Sequence, residues 1–183
     1  LRDELNVLDA AKKKRDEVQL TSLQVQAALQ EKQNLMAAAQ KTMQDAQAAV
    51  TSSDQKMKDL TVAMTTMEQQ KVAKQDVMTK TQTASPMVKA ALEQVKAALA
   101  VLPDNAEIKA SADGLAATID RQDKAIVAMT EEIAAMDKQM TASKTDLDAT
   151  TKTNTDSKTA MQTADQMMKT LAAEAAPIEA QLA

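Results

Sequence analysis

Thirteen methionines are the residues in this chain whose type and spacing could do chemistry. Met57, Met64 and Met67 form one group, and Met129, Met136 and Met140 form another. Thioether sulfur is a soft ligand suited to Cu(I). The same positions recur at the spacing of a helix seam, where flexible methionine fills gaps between alanine layers. Packing accounts for them without a metal, and no cofactor is expected. A second cluster, Lys12-Lys13-Lys14-Arg15, could touch a phosphate or an anionic headgroup. Asp16 and Glu17 follow at once, and 26 acidic residues outnumber 22 basic ones along the chain. Local charge pairing on a solvated helix face explains the cluster, and no nucleic-acid footprint emerges.

The residue types that catalysis draws on most are missing. There is no His for general acid–base work and no Cys or His for a nucleophilic triad. The single glycine, Gly114, excludes a phosphate-binding glycine-rich turn. Apart from Glu4, Asp and Glu lie at outward positions of the repeat described next. The reading is therefore not an enzyme. Zero aromatic residues also argue against a thick core and against an amphipathic lipid-surface helix, which wants Trp or Phe on its apolar face. No apolar run reaches the roughly 20 residues needed to span a bilayer.

Two ladders counted in sevens must position whatever this chain presents. One runs Leu1, Leu8, Arg15, Ser22, Leu29, Met36 and onward to Met78, beside Glu4, Ala11, Val18, Val25, Lys32, Ala39 and onward to Lys74. The second starts after Pro103 with Ile108, Leu115 and Gln122, beside Ala112, Ile119 and Ile126, and continues to Ile178 and Leu182. Sustained 3-4 spacing predicts a coiled coil. Leu102-Pro103-Asp104-Asn105 should end the first helix, with Asp104 or Asn105 capping the next. The fold class expected is all-α: a long antiparallel coiled-coil hairpin. Its first arm covers 1–102, its turn 103–105 and its second arm 106–183. Pro86 should kink the first arm at 85–86 without breaking it, because the ladder keeps phase across it. A break with a short transverse helix over 86–102 is the competitor.

Register follows from the polar seam residues. Pairing residues whose numbers add to 207 sets Ser53 beside Asn154 and Ser85 beside Gln122. Sliding to 200 sets Asn154 against Ala46 and Gln122 against Met78. A buried amide needs a partner, which favours the first register. Lys71 and Lys74 then face Met136 and Ile133, a locally weakened segment in which lysine stems cover apolar surface. The second arm should measure about 115 Å from the helical rise. Leu182 should face Val25, so residues 1–24 overhang. That overhang exposes Leu1, Leu5, Leu8 and Val18, which call for a protein partner or self-association. Pro103, Asp104 and Asn105 at the turn are the other contact candidates.

The stretch ALEQVKAALAVLPDNAEIKASADGLAATID, with its helix, LPDNAE turn and helix, resembles Ala-rich coiled-coil segments of bacterial envelope proteins that carry c-type cytochrome and WD40 modules. That resemblance implies an extracytoplasmic spacer or assembly arm, in the periplasm or cell envelope. The haem-attachment motif of such proteins does not carry over, since Cys and His are absent. The functional expectation is a non-enzymatic structural spacer or protein–protein interaction arm, part of a larger protein or assembly. The alternative is a compact helical bundle that binds a ligand or lipid between its helices.

Overall fold

The computed structural model describes residues 2–182. It contains two helices, α1 (Arg2–Val101) and α2 (Ala106–Leu182), packed against each other as an all-α hairpin. Ala, Met, Gln, Lys and Glu supply most of both helices and are good helix formers. α1 runs without interruption through Thr51-Ser52-Ser53-Asp54 and through Pro86, so the short transverse helix over 86–102 does not form. A proline inside a helix deletes one backbone hydrogen bond, here the one to the Gln82 carbonyl. Ser85 and Leu92 remain buried on either side of it. α2 passes through Pro177 in the same way.

α1 stops one residue short of the expected boundary, at Val101. The Asn105 amide donates to the Leu102 carbonyl (3.2 Å), closing a turn with Pro103 and Asp104 at its centre. Asn105 is the cap, not Asp104: its Oδ1 accepts from the amides of Glu107 and Ile108, both at 3.0 Å. Two of the four donors orphaned at a helix start are thereby satisfied. Glu107 places a negative charge in the first turn, where the helix dipole favours it. No described residue has a positive φ, so Gly114 serves no turn and lies in ordinary helix.

The hairpin comprises two compact units, one of Leu1–Gln55 with Thr150–Ala183 and one of Lys56–Ala149. In the first, the buried residues are Leu171 and eight that are small or polar: Ala39, Ala46, Val50, Ser53, Thr150, Asn154, Ala164 and Ala175. Small side chains let two helix backbones approach closely. In the second unit only Ser85, Leu92 and Ala112 are buried; Met, Ile, Leu and Val hold most of the remaining inward positions half-buried, interrupted by polar residues that include Lys71, Lys74 and Gln122. Every one of the twelve buried residues belongs to the rows counted in sevens. No described side chain is fully buried, as expected when each helix has one neighbour to cover one stripe.

The cap gives a direct test. Asn105→Ala should cost about 0.5–2 kcal/mol in chemical denaturation. Asp104→Ala should stay within about 0.5 kcal/mol, as for a surface position outside any cap.

Candidate functional site

The polar contacts between α1 and α2 are the most specific feature of the side chains. In the first unit, buried Asn154 donates from Nδ2 to the Val50 carbonyl (3.2 Å) and to Asp54 Oδ1 (2.9 Å). Ser53, next to Asp54 in sequence, and Thr150, four residues before Asn154, are buried too. Lys32 pairs with Glu174 across the helices. In the second unit, Lys71 Nζ donates to Asp137 Oδ1 at 2.6 Å, and Lys74 pairs with Glu132. Lys89 lies 3.5 Å from Asp123. Thr130 Oγ1 donates to the Ile126 carbonyl of its own helix (2.8 Å) and lies 3.5 Å from Met78 Sδ.

These pairs decide the register within each unit. Their residue numbers add to values between 204 and 212, centred near 207 and away from 200. A slip of one heptad toward 200 replaces Asp137, Glu132, Glu174 and Asp123 by Thr130, Ala125, Met167 and Ala116. A slip the other way substitutes Lys144, Gln139, Gln181 and Thr130, so Lys71 would meet another lysine. All four ion pairs are lost either way. Each pair is weak alone because it is partly exposed and salt-screened. Together they penalise the wrong registers, which a seam of interchangeable Ala and Met layers would tolerate.

Lys71 and Lys74 read from sequence as weak points, and their carboxylate partners were missed. The signal was present, since Asp137 and Glu132 sit within one residue of the positions that a sum of 207 assigns. The second polar layer differs from expectation. Ser85 Oγ and Gln122 Oε1 are buried without a hydrogen-bond partner, so the two polar residues do not satisfy each other. A buried unpaired polar atom costs stability and is tolerated here near the Pro86 turn of α1.

The contact candidates lie apart from these layers. Leu1 falls outside the described residues. Leu5, Leu8 and Val18 are 55%, 51% and 63% exposed. Residues 2–21 are exposed throughout. Gln181 and Leu182 of α2 line a hollow with Val18, Ser22 and Val25, so α2 reaches the level at which Leu182 was expected to meet Val25. Pro103, Asp104 and Asn105 are exposed at the turn. A groove that sequence reading missed runs along the second unit, walled by Met64, Val72, Ala73 and Met140 and rimmed by Glu68, Asp76, Asp137 and Lys144. It forms only where the two helices lie side by side, and Val72 on its wall is 59% exposed. Among the described residues no group of three or more His, Cys, Asp or Glu is placed to hold a metal ion. No helix there is long and apolar enough to cross a membrane.

The Lys32 and Lys71 ammonium groups are held above the usual lysine value, chiefly by the hydrogen bonds to Glu174 and Asp137, against the opposing effect of desolvation. A lysine pKa raised by folding stabilises fully below the unfolded value and ceases to do so as pH climbs through the folded one. The cross-helix pairs should therefore support the hairpin at neutral pH and fade in strongly alkaline solution. Lys71→Glu should lower the thermal midpoint at low salt, and the swap Lys71→Glu with Asp137→Lys should recover it. High salt should shrink both effects.

Comparison with protein-family models, with curated proteins and with solved structures found no match.

Proposed function

We propose that this chain is a non-catalytic structural arm: an antiparallel coiled coil that acts as a spacer and offers a helical surface to a protein partner. The observation that carries this reading is the exposed apolar face at the start of α1, where Leu8 and Val18 continue the rows uncovered, with Leu5 beside them. From Ser22 to Leu99 and from Ile108 to Ile178, every residue of those rows is buried or half-buried. That alternation of covered rows and solvated faces is what a heptad seam produces. The missing His and Cys remove the side chains that acid–base and nucleophilic catalysis use most.

One observation favours a second reading, a helical bundle that takes an apolar ligand. The groove walled by Met64, Val72, Ala73 and Met140 is mostly apolar and spacious. Methionine-rich surfaces adapt to varied partners.

Titration with 1-anilinonaphthalene-8-sulfonate separates the two. The arm reading expects no saturable binding that depends on the groove. Saturable one-to-one binding that disappears in Val72→Asp, with helicity unchanged, would make the groove a ligand site and overturn the arm reading.

A further inference from the structure

The sequence holds 13 methionines and no Cys, His, Trp or Tyr, so methionine is the one side chain in it that a mild hydroperoxide oxidises readily. Eleven of them lie on the rows counted in sevens, and all eleven are half-buried. The other two, Met87 and Met167, lie off the rows and are 71% and 49% exposed.

In the second unit the ion pairs of Lys71 with Asp137 and of Lys74 with Glu132 set the local register. Met67 then comes opposite Met140 and Met78 opposite Met129. Between them Lys71 faces Met136 and Lys74 faces Ile133. The Thr130 hydroxyl, 3.5 Å from Met78 Sδ, places Met78 at that level. The eight side chains of these four layers include five methionines, and every one of the eight is half-buried.

We propose that these layers are a modification site: a hydroperoxide converts Met67, Met78, Met129, Met136 and Met140 to sulfoxides, and the conversion reversibly loosens the second unit. Such a response goes beyond the arm reading and holds whether or not a partner protein binds. With hydrogen peroxide, a sulfur lone pair attacks one peroxide oxygen, and the S–O bond forms as the O–O bond breaks. Sulfur gives up two electrons. The departing oxygen takes the proton of the transferred one and leaves as water. Half-burial keeps these residues in contact with solvent, so a molecule as small as hydrogen peroxide reaches them without the helices parting.

Sulfoxidation turns a flexible apolar side chain into a polar one. Among the eight side chains only the Lys71 and Lys74 ammonium groups donate hydrogen bonds, and both are engaged by carboxylates on α2. A new oxygen therefore goes unbonded, draws an ammonium from its carboxylate, or admits water to the seam. Each course weakens the pairing of the helices. Met87 and Met167 face solvent, and an oxygen added there costs the seam nothing.

Graded hydrogen peroxide on the full chain, with peptide mapping by mass spectrometry and thermal melts followed by circular dichroism, tests the proposal. Met87 and Met167 should convert first and leave the midpoint unchanged. The seam methionines should follow, and the midpoint should then fall by about 5 °C or more. Treatment with methionine sulfoxide reductases for both epimers should restore it. The variant combining Met67→Leu, Met78→Leu, Met129→Leu, Met136→Leu and Met140→Leu conserves volume and should fold, yet lose most of the peroxide-induced fall. Seam methionines that stay unoxidised in the folded chain, or that oxidise fully without a shift, would overturn the proposal. So would a leucine variant that keeps most of the fall, or a native chain that does not recover on reduction.

Discussion

With only two helices, each side chain on the inner stripe is covered from one direction, and no described side chain is fully buried. This limit on burial governs the rest of the structure. Apolar area removed from water is the main favourable term in folding. A seam of Ala, Met and Val gains modestly from it at each layer. Such layers also resemble one another, so apolar contact alone discriminates poorly between one register and the next.

Discrimination comes from the polar positions that interrupt the seam. Asn154 reaches both a backbone carbonyl and the Asp54 carboxylate. Lys71 and Lys74 sit in two successive inward rows, each with a carboxylate on the facing helix. In a larger core such residues would need full burial and would carry a heavy desolvation penalty. At a two-helix seam the lysine stems cover apolar surface while the head stays at the edge. The exposure that limits apolar stabilisation is thus what makes the charged layers tolerable. Ser85 and Gln122 show the other side of this arrangement, since they interrupt the seam without gaining a partner.

Much of the fold was legible in the sequence because helix signals and helix breakers are local. One strong stop at Pro103 and an unbroken phase elsewhere defined both helices. Phase also identified Pro86 as a residue the helix passes through. Choosing between Asp104 and Asn105 as the cap was not possible from residue type, since both side chains accept from helix amides equally well. The lysine pairs depended on the register of one helix against the other. A one-residue offset along α2 decides whether Lys71 meets Met136 or reaches Asp137, and periodicity alone does not resolve it. The groove at Met64 and Val72 was hidden for the same reason, because neither helix contains it. The exposed leucines at 5 and 8 were legible once the register was set.

Cross-helix polar pairs hold α1 and α2 in register, with facing residue numbers adding to about 207. Engineered disulfides test it most directly, since the chain has no cysteine of its own. Leu92→Cys with Leu115→Cys should oxidise rapidly and completely to an intramolecular bond. Leu92→Cys with Ile108→Cys, which faces it only after a one-heptad slip, should remain reduced under the same conditions. Equal rates for the two pairs, or a faster bond to position 108, would mean that the polar pairs do not fix the register.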